Sequence, residues 1–414
     1  MGARPDRCAI RNRRRNHPVL DRIGRNRQHR AAMTRSTLSF VFAALTTTAI
    51  AGENFLVYFG TNTNAKNGSK GIYVARFNSS SGELTQPELA AEAGNPGFLA
   101  IHPSKKYLYA IGDVSTPDGK KGGGISSFGI DLKSGKLTPI NQASAVGSGP
   151  CHVNVDQTGK MAALANYGSG SVASYAIKDD GSVSEAASFI QHEGSSVDPK
   201  RQTGPHAHSV NFSPDNRFAF ACDLGLDKVL IYKVDPATGK LTPNEPAFAK
   251  TPAGGGPRHL AFHPSGKYVF VNNEMAMTET VFAYDAEKGA LTEIETVSTL
   301  PEADRGKTGL STAETLAHPN GRVVYVSNRT HDTIAVFACD PATGKLTQLQ
   351  NVPVEGEIPR NICLDPTGKW LIAAHQNSGT AALFKVDQDS GKLTFTGTKV
   401  NVPGSICVRF LGLD

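Results

Sequence analysis

The sequence repeats itself at intervals of about fifty residues. A Gly-x-Leu-Thr pattern recurs with its glycine at 82, 135, 181 (degenerate, Gly-Ser-Val-Ser), 239, 289, 344 and 391. A second pattern, a polar residue followed by a turn and a basic residue, begins at His102, Asp156, Ser213, His263, His318 and Asp365. Short runs rich in β-branched and aromatic residues flank each copy, and no segment keeps a helical period. This combination predicts strands separated by turns.

Each repeat has room for four strands, as in 260–262, 268–272, 281–284 and 291–297. Four-stranded units repeated radially are the blades of a β-propeller. We therefore predict an all-β fold, a single seven-bladed β-propeller over residues 52–414. Residues 403–410 resemble 359–364, and 55–59 resemble the second strand of a blade. The C-terminal strand is therefore expected to pair with the N-terminal blade and close the ring, which removes exposed strand edges.

The first 51 residues differ from the rest in charge. They hold eleven Arg, no Lys and two Asp, whereas residues 52–414 carry 32 basic and 35 acidic side chains. The propeller therefore lacks the basic surface of a nucleic-acid-binding protein, and no nucleic-acid partner is expected. From Met33, a short basic start, an apolar stretch (38–50) and small residues up to Ala51 are typical of a signal peptide. The stretch is too short for a membrane span.

Residues 1–51 are accordingly interpreted as a basic leader and signal peptide outside the fold, with translation starting at Met33. The alternative for 1–32 is a disordered basic arm. Export to the periplasm or beyond is the first expectation for localisation, and the cytoplasm is the alternative. Five cysteines follow residue 51 without CxxC pairs, so neither a zinc site nor a disulfide framework is indicated, and no cofactor is expected.

Polar residues that differ between repeats mark the candidate site. The first strand of a blade starts on the face of the ring where the second strand ends, so residues at these two places are expected to lie together. When the repeats are aligned, the two columns at the first-strand start contain His152, His208, Arg258, His259, Glu314, Arg360 and Asn361, with His206 close by. The second-strand ends contribute Asn166, Tyr167, Glu274 and Arg329. In the closing blade the alignment places Gly404 and Ser405 in the first-strand columns, and Gly60 and Thr61 at the second-strand end. The alternative is that these residues merely line a wet channel mouth.

Several Arg and His around two Glu predict a site for an anion, with groups suited to proton transfer. The His are not spaced as a compact metal site, so no metal is expected, although three His from different blades offer an alternative. A Gly-x-Ser-x-Gly elbow is absent from the sequence, which gives no support to a serine hydrolase. His102, His263 and His318 belong to the recurring turn, and we expect them to be structural.

Several strings together resemble the seven-bladed propeller lactonases, the family of bacterial 6-phosphogluconolactonase and of fungal carboxy-cis,cis-muconate lactonising enzyme. They are Gly-Pro-Cys-His-Val (149–153), Ala-Asn-Tyr-Gly-Ser-Gly-Ser-Val (165–172), Gly-Pro-His-Ala-His-Ser-Val (204–210), Gly-Pro-Arg-His-Leu (256–260), Asn-Glu (273–274), Ser-Asn-Arg (327–329) and Pro-Arg-Asn (359–361). The resemblance covers essentially all of 52–414. It implies acid–base work by His, Arg and Glu groups in the central channel.

On this basis the expected substrate is an anionic sugar lactone, foremost 6-phospho-D-gluconolactone, hydrolysed to 6-phosphogluconate. Glu274, His206 and His208 are the candidate bases, Arg258 would polarise the carbonyl, and Arg329 and Arg360 would hold the anion. The remaining site residues would bind the substrate. Two alternatives stay open: a muconate-type cycloisomerase and a non-catalytic exported binding propeller. No membrane-spanning segment is expected, and the protein is predicted to be a monomer or a weak homo-oligomer.

Export makes a direct prediction about the mature N-terminus. We expect the secreted protein to begin at Gly52, because cleavage by signal peptidase follows small residues such as Ala49 and Ala51. N-terminal sequencing of the protein from its native host checks this. A mature protein that keeps residues 33–51 in the cytoplasm would contradict export.

Overall fold

The computed structural model describes residues 54–413, apart from 64, 65, 67 and 116–120. The proposed leader and signal peptide, 1–51, lie outside the described residues. The described chain forms seven antiparallel sheets, and the first strands of successive sheets pack side by side in a closed circle. The predicted seven-bladed β-propeller is confirmed. Within the described ranges no helix is long and apolar enough to cross a bilayer.

The strands are numbered in chain order and grouped by blade. Blade 1 contains β1 (Asn54–Thr61), β2 (Gly71–Asn78), β3 (Glu83–Leu84), β4 (Glu88–Glu92) and the last strand, β29 (Ser405–Gly412). Blade 2 contains β5 (Leu99–Ile101), β6 (Tyr107–Ser115), β7 (Lys121–Ile130) and β8 (Leu137–Ser144). Blade 3 contains β9 (Pro150–Val155), β10 (Met161–Asn166), β11 (Ser171–Ile177) and β12 (Val183–Gln191).

The other four blades follow the same plan. Blade 4 contains β13 (Ala207–Phe212), β14 (Phe218–Asp223), β15 (Lys228–Asp235) and β16 (Lys240–Lys250). Blade 5 contains β17 (Pro257–Phe262), β18 (Tyr268–Asn273), β19 (Thr278–Asp285) and β20 (Ala290–Ser298), followed by a 3-10 turn at Glu302–Asp304. Blade 6 contains β21 (Ser311–Ala317), β22 (Val323–Arg329), β23 (Thr333–Cys339) and β24 (Leu346–Pro353). Blade 7 contains β25 (Pro359–Leu364), β26 (Trp370–His375), β27 (Thr380–Val386) and β28 (Leu393–Asn401).

The ring closes as predicted, because the C-terminal strand is the innermost strand of blade 1. β29 pairs antiparallel with β1 from Phe55 opposite Gly412 to Thr61 opposite Ser405. Trp370, at the start of β26 in the preceding blade, joins that blade to blade 1 through its indole, which donates to the carbonyl of Ser79, just after β2, at 2.8 Å. Both ends of the described chain therefore contribute to one blade, in which β1 is paired on both sides, with β29 and with β2.

The repeated glycine of Gly-x-Leu-Thr occupies the same place in every blade. All seven copies have a φ between 65° and 81°, the left-handed region that side chains other than glycine rarely adopt. The glycine also lies against the preceding blade: a Cβ on Gly391 would lie 2.3 Å from the Val323 side chain. The hydroxyl of Tyr325 donates to the Gly391 carbonyl at 2.8 Å. The repeat is therefore the point where neighbouring blades interlock.

The histidines of the recurring turn, which lies between the first and second strands of a blade, also join neighbouring blades. The Nε2 atoms of His102, His263 and His318 lie 2.8, 2.7 and 2.8 Å from glycine carbonyls of the next blade. Each of these side chains is held within the scaffold, in agreement with the structural role expected for them.

A β-bulge interrupts the start of the first strand in six blades. The residues on the bulges are Cys151, His208, Arg258, Ala313, Arg360 and Ile406. A bulge leaves one residue unpaired and changes the direction of its side chain, which is why bulges occur often beside active sites. The first-strand column predicted from sequence coincides with the bulges in blades 3 to 7, whereas in blade 2 the β5–β6 pair has no bulge.

The alignment of the closing blade was wrong. β1 pairs Gly60 with Cys407 and Thr61 with Ser405, so Ile406 lies on the bulge and Cys407 follows it. These two residues, rather than Gly404 and Ser405, occupy the first-strand columns, and the second-strand end falls one residue later than Gly60–Thr61. The likeness of Pro403 to Pro359 misplaced the register, because strand pairing rather than turn composition sets it.

The blade interlock can be tested with two glycines of nearly the same backbone conformation. Gly391 has a φ of 72° and Gly266 a φ of 68°, but a Cβ on Gly266 would have no heavy atom within 4 Å. We expect Gly266→Ala to cost about 1 kcal/mol of backbone strain. Gly391→Ala should cost a further ~1–3 kcal/mol, because the new methyl meets Val323. Chemical denaturation of both variants measures the difference, and equal costs would contradict the interlock.

Candidate active site

Two adjoining cavities lie where the bulged strand starts converge. The larger, of about 620 Å³, is lined by Gly149, Cys151, Tyr167, Arg201, His208, Glu274, Gly309, Leu310, Ser311, Arg329 and Arg360. The smaller, of about 190 Å³, is lined by Asn62, Asn95, Gly97, Phe98, Ile111, Pro150, Cys151, Arg258, His259, Arg360 and Ile406. Cys151 and Arg360 line both cavities. Seven of the sequence-predicted site residues are among these linings.

Glu274, directly after β18, is the anionic centre of the site. Its Oε2 accepts from Arg258 Nε at 3.0 Å and its Oε1 accepts from Arg201 Nη2 at 2.9 Å. Arg329 Nη2 forms a salt bridge with Oε2 at 2.8 Å. Burial raises the pKa of this carboxyl, but the three guanidinium groups outweigh burial and bring it to about 2. Glu274 is therefore ionised at neutral pH and acts as the common partner of three arginines.

Arg258 lies on the bulge of β17 and is fully buried. Besides Glu274, its Nη1 donates to the Ala313 carbonyl and to His259 Nε2, the latter at 3.2 Å. Burial lowers the pKa of Arg258 to about 9, with further lowering by the charges of Arg329 and Arg360. It stays protonated at neutral pH. The Arg258 side chain lines the smaller cavity, and its Nη2 makes no hydrogen bond to any described residue.

His259 links this arginine to a second buried carboxyl. Because its Nε2 accepts from Arg258, its Nδ1 carries the proton and donates to Glu314 Oε1 at 2.8 Å. The amide of Asn361 donates to Glu314 Oε2. Burial raises the pKa of Glu314 and lowers that of His259 well below its usual value. The chain Asn361–Glu314–His259–Arg258 therefore fixes the arginine's orientation.

An aromatic layer lies beside this chain. The centroid of the His152 ring lies 4.2 Å from the centroid of the Phe98 ring and 5.2 Å from that of the His259 ring. The guanidinium of Arg409, on β29, lies 4.5 Å above the Phe98 ring. Burial lowers the pKa of His152 well below its usual value, and His259 and Arg409 lower it further. His152 is thus a neutral packing partner, and Arg409 is a half-buried cation that the sequence alignment missed.

His208 is the buried imidazole that lines the larger cavity. Its Nδ1 lies 3.9 Å from Cys151 Sγ, and its Nε2 has no hydrogen-bond partner in the described chain. Burial lowers the pKa of His208 well below its usual value, and the charge of Arg258 adds to this. The imidazole is therefore neutral at neutral pH and can accept a proton at Nε2. The neighbouring thiol of Cys151 is not a nucleophile, because burial raises its pKa to about 12.

Arg360, on the bulge of β25, is the cation that borders both cavities. Within the described part of the chain its guanidinium makes neither a hydrogen bond nor a salt bridge. Burial lowers the pKa of Arg360, and Arg329 lowers it further. A half-buried cation left without a partner lowers its free energy by binding an anion or a polarised carbonyl. Arg360 therefore identifies where such a group binds.

His206 and Asn166, two of the predicted site residues, line neither cavity. His206 is half-buried: its Nδ1 donates to the Tyr167 carbonyl at 2.9 Å, and its ring stacks on that of Tyr167 at 4.6 Å. It holds Tyr167, whose ring lines the cavity. Asn166 is fully buried and lines neither cavity, because its amide donates to the Ala145 carbonyl and to Ser171. Its contacts are those of a residue that fixes the connection after β10.

Arg201 is a site residue that the repeat alignment did not find. It lies in the segment 192–206 between β12 and β13, which we call the strap. Its Nη2 donates to Glu274 and, at 3.0 Å, to the hydroxyl of Tyr167. The strap has no counterpart in the repeats, so column alignment cannot place it. The signal was the distance of 58 residues between the glycines at 181 and 239, the largest of the series.

Over the described ranges, no group of three or more His, Cys, Asp or Glu side chains has the geometry to hold a metal ion. The charged side chains that line the two cavities are four arginines and one carboxylate, Glu274, so the linings favour an anion over a cation.

The comparisons with known proteins agree with this geometry. Residues 56–410 match the family model described as Lactonase, 7-bladed beta-propeller. A Bacillus subtilis protein named 6-phosphogluconolactonase is 37% identical over 357 residues, 86% of this chain and 98% of that protein. One of the same name from Formosa agariphila is 31% identical over 352 residues, 84% of this chain and 97% of that protein. The structure of a periplasmic gluconolactonase from Pseudomonas aeruginosa matches with a TM-score of 0.80 and 32% identity, covering 87% of this chain and 100% of that chain. The chain therefore belongs to the seven-bladed β-propeller lactonases, a family of lactone hydrolases.

Proposed function

We propose that this protein hydrolyses 6-phospho-D-gluconolactone to 6-phosphogluconate in the two adjoining cavities. The observation that carries the proposal is that the wall of one cavity holds both Arg360, a guanidinium with no partner among the described residues, and His208, a neutral imidazole. Ester hydrolysis needs one group that removes a proton from water and another that stabilises the oxyanion. The names of the two 6-phosphogluconolactonases support this substrate.

The reaction begins when a water molecule, activated by His208 Nε2, attacks the lactone carbonyl carbon. The proton moves to the imidazole, and the negative charge that develops on the carbonyl oxygen is stabilised by Arg360 and by the free Nη2 of Arg258. When the tetrahedral intermediate collapses, the bond between the carbonyl carbon and the ring oxygen breaks. The imidazolium returns its proton to that oxygen, which leaves as a hydroxyl, and the product is the open-chain acid.

Glu274 is assigned a positioning role rather than that of the base. Both of its oxygens accept hydrogen bonds from arginines, and a pKa of about 2 makes it a weak proton acceptor. Of the three candidate bases, His206 donates its Nδ1 proton to the Tyr167 carbonyl and lies outside both cavity linings. The contacts therefore favour His208.

A second candidate is hydrolysis of unphosphorylated D-gluconolactone outside the cytoplasm. It is favoured by the signal-peptide pattern in residues 33–51 and by the likeness to the periplasmic gluconolactonase. The same His208, Arg258 and Arg360 would perform the chemistry, because both lactones present the same ester. The relatives named above are 6-phosphogluconolactonases and a gluconolactonase, which makes the cycloisomerase and the non-catalytic binding propeller weaker alternatives.

The two substrates can be separated by direct kinetics. We expect the purified propeller to hydrolyse both 6-phospho-D-gluconolactone and D-glucono-δ-lactone above the spontaneous rate. The kcat/KM should be at least about tenfold higher for the phosphorylated lactone, because its phosphate gains charge-assisted hydrogen bonds in a cationic cavity. Acid release followed in a pH-stat, with the uncatalysed rate subtracted, measures this. A preference for the unphosphorylated lactone would select the second candidate, and no turnover of either would refute a sugar-lactone substrate.

The assignment of the base predicts a pH dependence. Because the pKa of His208 is lowered, its neutral, active form predominates at neutral pH. The kcat/KM should then fall with acidification only below the usual histidine range, about pH 6.5. His208→Gln should lower kcat by roughly 100-fold or more and abolish this acidic limb. Glu274→Gln should lower the rate while retaining the limb, since it disorders the arginines but leaves the base in place.

His102→Gln is the matched control for this series. His102 bonds Ser104 and the Gly159 carbonyl in the recurring turn, on the strand connection away from the cavities. Its turnover and pH profile should stay close to those of the parent protein. An unchanged acidic limb in His208→Gln would exclude His208 as the base.

A further inference from the structure

The strap is held in place by two buried carboxylates from blade 4. Asp223 accepts from His192 Nδ1 at 2.6 Å and from the His206 amide at 2.8 Å, which fixes the two ends of the strap. Asp227 accepts from Ser196 Oγ at 2.5 Å and from Gln202 Nε2 at 2.7 Å, which fixes its middle. A connection anchored at four points by charge-assisted bonds is preorganised rather than a loose loop.

Asp227 also joins the strap to the next connection of the ring. Its two oxygens accept from the amides of Gly254 and Gly256, at 2.7 and 2.8 Å, in the segment between blades 4 and 5. Within the strap, Asp198 accepts from the amides of Lys200 and Arg201, both at 2.8 Å. The backbone that carries Arg201 is thus fixed both by the core of blade 4 and by a local turn.

The anchored strap places Arg201 over the opening of the larger cavity. Its side chain is 44% exposed, whereas that of Glu274 beneath it is 8% exposed. Only Nη2 is engaged, with Glu274 and the Tyr167 hydroxyl. In the described chain, Nη1 and Nε have no hydrogen-bond partner. The N–H groups of Nη1 and Nε therefore remain available to donate single hydrogen bonds to the oxygens of an anionic ligand, next to the delocalised positive charge.

The arginines thus lie at two depths. Arg258 and Arg360 are at the level of the bulges, beside the proposed base, whereas Arg201 is the solvent-facing member of the group. A lactone whose carbonyl lies against the deeper arginines directs its opposite end toward the solvent and toward Arg201. Of the groups that line the larger cavity, three are arginines and only Glu274 is a carboxylate, so the field there favours an anion.

We propose that Arg201 is a specificity-determining residue, which binds the phosphate monoester at the end of the substrate remote from the lactone carbonyl. The strap serves to hold it there. This inference rests on the proposed function, because it assumes that the carbonyl lies at Arg258 and Arg360. It assigns selection for the phosphorylated lactone to a segment outside the repeating scaffold.

The test compares Arg201→Gln with the parent protein on both lactones. We expect kcat/KM for 6-phospho-D-gluconolactone to fall about 10- to 100-fold, chiefly through KM, which is the scale of hydrogen bonds to a charged group. The kcat/KM for D-glucono-δ-lactone should fall by a clearly smaller factor, because this lactone has no phosphate for Arg201 to bind and Glu274 keeps Arg258 and Arg329 as partners. Arg201→Lys should recover part of the loss, because it restores the charge but not the fixed, planar directions of the N–H groups.

Arg217→Gln is the matched control. Arg217 is 46% exposed and, like Arg201, is paired with carboxylates, but it lies on the turn between β13 and β14. It should leave the ratio of the two kcat/KM values unchanged. An equal loss on both lactones in Arg201→Gln would overturn the proposal, because Arg201 would then act through Glu274 on the chemistry itself.

A binding measurement separates failure of this inference from failure of the proposed function. Calorimetric titration with 6-phosphogluconate and with D-gluconate requires no turnover. We expect the parent protein to bind the phosphorylated acid more tightly and Arg201→Gln to lose this preference. If neither lactone is hydrolysed while that difference persists, the proposed reaction is wrong and the phosphate site stands. If Arg201→Gln binds both acids as the parent does, the phosphate site is wrong whatever the activity.

Discussion

The whole architecture depends on one steric constraint, the contact between the repeated glycine and the preceding blade. At this position the backbone is left-handed, and the space that a Cβ would need is filled by a neighbouring side chain, Val323 in the case of Gly391. Only glycine meets both conditions. Because the contact recurs in every blade, the angle between successive blades is set by packing. Seven such steps bring β29 next to β1, so that β1 is paired on both sides and the ring is closed.

The closed ring explains why so much charge can be concentrated at its centre. The strand starts of all blades converge there, so side chains far apart in sequence share one volume. Burial alone would neutralise Glu274, yet the surrounding arginines bring its pKa to about 2, and their attraction therefore exceeds the desolvation cost. The same ion pairs hold Arg258 and Arg329 in fixed orientations. Arg360 has no such partner among the described residues, so its charge is available to a ligand. Cations held in fixed positions before the reaction are what stabilises a developing oxyanion.

The repeats were sufficient to predict the fold, because a periodic sequence requires a periodic structure and the number of blades follows from the count of glycines. The site was predicted to the level of columns, since polar residues that break a repeat are free of the scaffold's constraints. Two features of the site could not be predicted from the alignment of the repeats. The bulges arise from strand pairing, so the position of Ile406 was missed in the closing blade. The strap belongs to no repeat, so Arg201 could only be found in three dimensions. The interpretation of residues 1–51 stays a prediction.

The division between ring and connections suggests how this family varies its substrates. The catalytic groups proposed here, His208, Arg258 and Arg360, lie on bulges of inner strands, where the interlocked blades leave little freedom. The cavity opening, in contrast, is bordered by the strap and by the connection from β20 to β21, which supplies Gly309 and Leu310. Changes in connection length and sequence are compatible with an intact ring. The ester chemistry can therefore be kept while the far end of the substrate is selected anew. A phosphate-binding arginine on such a connection is the kind of feature that would distinguish a 6-phosphogluconolactonase from a gluconolactonase built on the same ring.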